Sequence, residues 1–428
     1  MNEDLSPVKF KQEEDKMRRV VITSTGTINP VGKTVDETWA NILNGVSGIG
    51  PATSCDVSDF NTQIAGEVKD FQPADYIPTK ELRRVDRFQV FAIAAFREAF
   101  EKSGLDMERE DPSRIAVIIS SAVGGLNAIE RTVTTLVEEG PRRISPFMTP
   151  MIMANGAAGL IAIDKGIKGP CFSIASACAS ANDAIGQAFL MIRANIVDVA
   201  VTGGSEATIN RTGFGVFDRL GALSRRNEDY HLTPSPFDRD RDGFVMSEGA
   251  AVLVLESLEH AQARGAEIWA EVVGYGSTVD AFHVTAPAED GSGAGKAISL
   301  ALEMANLNPE DVDYVNAHGT GTRLNDVSET KAIKLALGET AHQVAISSTK
   351  SMTGHMMGAT GALEAIFCAL AIRDHVIPPT MKLRNPDPEC DLDYVPNEAR
   401  EVPVEVAIEN AFGFGGQNAV LAFRAYSG

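Results

Sequence analysis

Residues 171–204 read CFSIASACASANDAIGQAFLMIRANIVDVAVTGG, and this stretch decides the fold class. Cys171–Ala177 is an uncharged, strand-like run, and an Ala-rich helix is predicted from about Cys178 to Ala194. Ile196–Thr202 reads as the next strand, stopped by Gly203-Gly204. A strand, a helix and a second strand in so short a span point to a parallel α/β sheet. Upstream, Arg18–Thr25 reads as a strand ending at Gly26. Thr34–Leu43 and Arg87–Glu101 have helical spacing, the second closed by Lys102-Ser103-Gly104, and Ile115–Ser120 is a buried strand running into Gly124-Gly125. Downstream the theme returns. Ile268–Gly274, Val312–Asn316 and Val344–Ser347 read as strands, and a helix follows from about Gly358 to Arg373. Two halves of similar order, with no low-complexity tract between them, suggest a duplicated α/β unit sharing one core.

Composition narrows the class further. Apolar residues make up 44% of the 428 and charged residues 22%, as in a well-packed globular protein. The formal net charge of -20 would repel a phosphate backbone, so nucleic-acid binding is not expected. No stretch approaches 18 uninterrupted apolar residues, so no membrane span is expected. The start, MNEDLSPVKFKQEEDKM, is charged and lacks the apolar core of a secretory signal, so residues 1–17 read as a flexible extension. Five cysteines (55, 171, 178, 368 and 390), with no CxxC pair, argue against a disulfide framework and for a reducing cytoplasm.

Cys178 stands where the strand-like run changes to helix. A lone cysteine among Ala and Ser is ordinarily a small buried hydrophobe. At a helix N-terminus, however, the free N–H groups and the helix dipole favour a thiolate, which predicts a pKa lowered from ~8.5 towards ~7. The neighbours Ala177, Ala179 and Ser180 are small enough to admit a bulky thioester. Two histidines share the same kind of setting. His318 lies in YVNAHGTGTRLND just past a strand, and His355 lies in SSTKSMTGHMMGATGALE after Lys350. Ligand sites in parallel sheets gather at the C-terminal ends of strands, which favours a functional reading of both.

Other motifs fail on spacing. Gly291–Lys296 (GSGAGK) has three residues between its outer glycines where a phosphate loop has four, and Ala297 replaces the Ser or Thr that would hold magnesium. No GxGxxG follows the first strand, and neither GxSxG, HxxxH nor HExxH occurs. A nucleotide, a dinucleotide or zinc is therefore not expected.

In order along the chain stand SACAS around Cys178, PFDRDRDGFVMSEGA, NAHGTGT, STKSMTGH and NAFGFGGQN. From about Arg18 to Phe423 this series resembles the beta-ketoacyl-acyl carrier protein synthases, in particular the type II elongating enzymes of the ketoacyl synthase II subclass. The resemblance implies a thiolase-like fold, with duplicated βαβαβαββ halves in five α/β layers and a homodimeric assembly. The N-terminal half would span 18–267 and carry the nucleophile, and the C-terminal half 268–428 with both histidines. It implies that Cys178 accepts the acyl group, that His318 and His355 support malonyl decarboxylation, and that Lys350, alongside Glu364, shapes the site electrostatically. The backbone N–H groups of Cys178 and Phe414 would form the oxyanion hole, with Phe414 gating the acyl tunnel and Phe412 beside it. Thr320 and Thr322 would contact the pantetheine arm, and Val123 and Phe217 would line the acyl pocket.

The implied reaction joins a malonyl unit to an acyl-enzyme thioester with loss of CO2, and needs no metal or redox cofactor. The implied partner is acyl- and malonyl-loaded acyl carrier protein, docked on Lys80, Arg83 and Arg84. With Arg87 these form TKELRRVDR, the densest basic cluster in the folded region, with Arg142-Arg143 and Arg225-Arg226 as neighbours. Ser247, Arg323, Ala411 and Gln417 depart from the family's usual residues. A ketosynthase of a polyketide or other specialised pathway would carry the same site. A non-catalytic chain-length partner would lack the nucleophile, and a degradative thiolase would need a second catalytic Cys near the C-terminus.

Overall fold

In the computed structural model, which describes residues 17–428, ten strands form one continuous sheet. The extension expected at 1–17 therefore falls, Met17 excepted, outside the described residues. The first half supplies β1 (Val20–Ile28), β2 (Ile115–Ser120), β3 (Cys171–Phe172), β4 (Val199–Glu206) and β5 (Gly249–Ser257). The second supplies β6 (Ala270–Val279), β7 (Tyr314–Asn316), β8 (Ala345–Ser347), β9 (Val406–Gly413) and β10 (Gln417–Arg424). Their spatial order is β8-β7-β9-β10-β6-β1-β5-β4-β2-β3. Each half thus runs third, second, fourth, fifth, first. In each, the fifth strand is antiparallel to both neighbours and the other contacts are parallel. The halves meet where β1 pairs antiparallel with β6 over Val20–Ile22. Duplication is written into the topology.

Strand residues alternate between two cores, as a pleat buried on both faces requires. In β2, Ala116 and Ile118 face a central core while Ile115, Val117 and Ile119 face an outer one. In β10, Ala419, Leu421 and Phe423 face the same central core while Val420 and Ala422 face a third. Helix α1 (Arg87–Ser103) covers the first outer face, and α2 (Leu126–Glu138) lies near the surface after β2. The central layer holds α3 (Ser180–Arg193), with α4 (Arg211–Leu220) following β4 at the edge. The other outer face carries α5 (Ser292–Ala305) and α6 (Arg323–Leu337), and α7 (Thr360–Asp374) lies beside α3 in the centre. Every residue of α7 from Thr360 to Ile372 is buried, as a helix between the two halves of the sheet must be. Helices, sheet, helices, sheet, helices make five layers, the expected thiolase-like architecture.

Local reading missed some boundaries. Gly26 lies inside β1 rather than ending it, because the backbone of α1 crosses there: a Cβ on Gly26 would sit 2.1 Å from the Ala95 carbonyl oxygen. Gly203 and Gly204 are likewise within β4. The strand-like run Cys171–Ala177 contracts to Cys171–Phe172, and the helix begins at Ser180, not Cys178. Ser176 and Ser180 divert the backbone here, the Ser176 N–H donating to Ser180 Oγ at 2.9 Å instead of to a neighbouring strand.

Candidate active site

Cys178 sits in the single turn Ala177–Ala179 that leads into α3. Ala177 has φ of 53°, a left-handed conformation that costs a non-glycine residue roughly 1–2 kcal/mol. The Ser180 hydroxyl secures the bend by donating to the Ala177 carbonyl at 2.6 Å. The sulfur is thereby presented to a cavity of about 700 Å³, lined also by His318, His355, Phe412 and Phe414.

The two histidines arrive from the other half. His318 follows β7, and its backbone N–H and that of Gly319 each donate at 2.7 Å to the carboxylate of Glu329 on α6. His355 follows β8 and the short helix Lys350–Thr353. Its Nε2 lies 3.1 Å from Cys178 Sγ and its Nδ1 2.9 Å from Thr360 Oγ1. The imidazoles stand nearly perpendicular, at 84° with centroids 5.4 Å apart. Cys178, His318 and His355 place one donor atom each within 4.8 Å of one another, so the trio could also ligate a metal ion.

The GFGG segment closes the triangle. Gly413 is needed for close approach, since a Cβ there would lie 2.9 Å from the Cys178 nitrogen and 2.8 Å from the Ser176 carbonyl oxygen. The backbone N–H groups of Phe414 and Cys178 both act on the sulfur. The segment is tied to the loop after β6 by Gly415 N–H to Val284 O at 2.8 Å and Asp280 N–H to Gly416 O at 2.9 Å.

Charge is organised behind the cavity. Lys350 Nζ donates to both oxygens of Glu364, at 2.8 and 2.7 Å, and both residues are buried. Removing one partner would leave an uncompensated buried charge, at a cost of ~3–5 kcal/mol. Burial, then the Lys350 charge, holds His355 well below the usual imidazole range, and His318 likewise with His355 adding to the effect. Both rings are neutral at neutral pH. Burial also pushes the Cys178 thiol up to about 11, outweighing Lys350 and the two backbone N–H groups that pull it down. This corrects the thiolate expected from the helix terminus. The sulfur faces an apolar pocket and a neutral imidazole, and a single turn separates it from the start of α3.

The cavity unites most of the residues singled out from sequence: Cys178, His318, His355, Thr320, Thr322, Phe412, Phe414, Val123 and Phe217 all line it. Lys350 and Glu364 stand behind it. Lys80, Arg83 and Arg84 lie apart, on the surface before α1. Arg84 is paired with Glu81 at 2.8 Å and stacked over Phe147, and Arg87 is bound to Glu248 at 2.8 and 2.6 Å. Lys80 and Arg83 form no ion pair among the described residues.

Several supporting residues were not anticipated. Thr360 meets His355, Phe244 packs its ring edge-on at 81°, and Glu329 holds the His318 turn. Glu206, pushed up to about 7 by burial, accepts from the Ser121 hydroxyl at 2.8 Å and the Ala122 N–H at 2.8 Å beside the pocket. For Glu206 and Thr360 the signal was an acidic or polar side chain inside an otherwise uncharged run; Phe244 and Glu329 lie in charge-rich stretches that gave none. Ser247, one of the departures, is buried and donates to the Thr353 carbonyl at 2.8 Å, bracing the segment that carries His355.

Comparison with known proteins gives the same picture. Residues 17–261 match the family model described as beta-ketoacyl synthase, N-terminal domain, and residues 269–384 match its C-terminal domain. A 3-oxoacyl-[acyl-carrier-protein] synthase 2 from Synechocystis sp. is 48% identical over 96% of this chain and 98% of its own length. One from Staphylococcus aureus is likewise 48% identical, over 96% of this chain and 99% of its own. Among solved structures, a type II polyketide ketosynthase, bound to the hexaketide and in complex with its acyl-carrier protein, superposes with a TM-score of 0.89. It is 35% identical and covers 96% of this chain and 100% of its own.

Proposed function

The chain belongs to the beta-ketoacyl synthase family, and from that premise we propose that it elongates acyl chains by two carbons through decarboxylative condensation with malonyl-carrier. The single observation that carries the chemistry is the convergence of Cys178, His318 and His355 on one apolar-walled cavity that Phe414 also lines. Its curated relatives at 48% identity favour fatty-acid elongation over a specialised pathway.

In this reading the resting pair is a thiol and a neutral imidazole. His355 Nε2 accepts the Cys178 proton as the sulfur attacks the incoming thioester, then passes it to the departing pantetheine thiolate. The acyl group now sits on Cys178, one hard step having become two. Once the pantetheine thiol has left, the ring gives up its Nδ1 proton and takes one from solvent at Nε2, the Thr360 hydroxyl now donating to Nδ1, so that Nε2 carries the N–H that faces the cavity. Malonyl-carrier binds, and N–H groups of His318 and His355 hold its thioester oxygen while the carboxylate leaves as CO2, its electron pair forming the enolate. The α-carbon attacks the acyl-Cys178 carbonyl. The tetrahedral oxyanion is held by the Cys178 and Phe414 N–H groups, and collapse expels the cysteine sulfur, which regains a proton from solvent.

The partner in this account is an acidic acyl carrier protein, met by Lys80, Arg83 and Arg84, and its setting is cytoplasmic. The working unit is a homodimer. Val133, Leu136 and Val137 form an exposed apolar stripe on α2, which supports a self-association face. Among the described residues no helix is long and apolar enough to cross a membrane. Incubation with malonyl-carrier and acyl-carriers of graded length tests the reading. Products two carbons longer are expected, and release of CO2 without any chain extension would overturn it.

A further inference from the structure

The wall of the catalytic cavity is shared with a second cavity of about 450 Å³, and Arg323 and Leu324 line both. The path between them is graded. Thr320 is buried, Thr322 half-buried and Arg323 exposed, so these residues lead outward from His318 to the surface. Five charged groups of the second cavity lie outside its one ion pair: the basic Arg239, Arg323 and Lys331 and the acidic Glu289 and Glu389. Its remaining pair, Arg241 and Asp387, is closed at 2.6 Å. Lys331 Nζ donates to the Glu289 carbonyl at 3.0 Å, while Arg239 and Arg323 meet no carboxylate among the described residues.

The turn that presents Arg323 is firmly built. Buried Arg241 donates from Nε to the Thr322 carbonyl at 3.2 Å and from a terminal nitrogen to the Arg323 carbonyl at 3.0 Å. Asp326 accepts from the Phe237 N–H at 2.9 Å and the Gly321 N–H at 3.2 Å. In a chain with net charge -20, an unpaired guanidinium carried by a braced turn at a cavity rim is placed for an anion. A guanidinium also suits phosphate geometrically, through paired N–H donors.

We propose that Arg323, flanked by Arg239 and Lys331, binds the phosphate that ends the phosphopantetheine arm. This rests on the reading of the Cys178 cavity as an acyl-thioester site. The uncharged arm would run past Thr322 and Thr320, leaving its one charged group at the Arg323 rim. The same phosphate chemistry is offered by a carrier protein and by coenzyme A.

Acylation of Cys178 is followed by intact-protein mass spectrometry with four donors of one acyl chain: acyl-pantetheine, acyl-4'-phosphopantetheine, acyl-coenzyme A and acyl-carrier. The parent should prefer the phosphorylated arm over acyl-pantetheine on the order of tenfold, the worth of one charge-assisted contact. R323A should bring that ratio close to one, and R323K should recover part of it, which a misfolded variant would not. Parallel losses with acyl-carrier and acyl-coenzyme A would show that both sources use the site, and a loss with one alone would assign it to that source. An unchanged phosphate preference in R323A overturns the proposal. So does a defect confined to acyl-carrier with the phosphopantetheine ratio intact, because the cluster would then read the carrier's surface. If the parent acylates Cys178 from none of the four donors, the cavity reading itself fails.

Discussion

The imidazole Nε2 of His355 lies 3.1 Å from the sulfur of Cys178, joining a thiol that burial keeps protonated to an imidazole that burial keeps neutral. A resting ion pair is thereby avoided in an apolar pocket, and the proton moves only when a thioester arrives. The Lys350 charge acts on both partners, favouring the thiolate and disfavouring the imidazolium.

This arrangement predicts the pH profile of Cys178 alkylation. Because its thiol is raised to about 11, the iodoacetamide rate should keep climbing from pH 7 to 10, close to tenfold per unit. A plateau near pH 7 would restore the helix-end thiolate and remove the need for His355 as base.

The two histidines should separate by step. His318→Ala should cut decarboxylation of malonyl-carrier by ~10²–10³-fold, the usual cost of an oxyanion donor, while Cys178 is still acylated. His355→Ala should slow both steps, because its ring also takes the thiol proton. Decarboxylation at the parent rate in His318→Ala would leave that ring only a structural part.

Phe414 should behave as a gate. It stands between Gly413 and Gly415, the latter at φ of 82°, in a segment whose backbone bonds tie it to the loop after β6. Phe414→Ala should change acylation and condensation by different factors, with a melting temperature within a few degrees of the parent. Equal losses in both steps, with a large drop in melting temperature, would make it a core residue instead.

The docking cluster gives a salt-sensitive test. Exposed pairs contribute ~0.2–1 kcal/mol each, so reversing Lys80, Arg83 and Arg84 to Glu should raise KM for carrier substrates markedly. Turnover with short pantetheine thioesters should hardly change, and parent activity with carrier should fall as salt is added. Arg84 is already tied to Glu81, so Lys80 and Arg83 should account for most of the effect. An unaltered KM at low salt would place docking elsewhere.

Much of the fold was legible in the sequence because period and turn residues are local. Ile115–Ser120 was read to the residue, since an apolar run bounded by charge and glycine has one interpretation. The glycines at 26, 203 and 204 misled for the opposite reason: their purpose is contact with elements distant in sequence, which no local window contains. The reading of the site divides the same way. Cys178, His318 and His355 stand out by their small-residue settings, whereas Glu206, Glu329 and Thr360 become visible only once folding brings them to the pocket. The Cys178 thiol departs from the helix-end expectation because helix position is local and desolvation is not.

The central claim is that Cys178 carries the acyl chain during condensation. Its most direct test is intact-protein mass spectrometry, with peptide mapping, after incubation with an acyl-carrier, on the parent and on Cys178→Ala. The account predicts one acyl group per chain, mapped to Cys178, discharged on adding malonyl-carrier and absent from the variant. Stable acylation at Cys171, with turnover retained in Cys178→Ala, would contradict it.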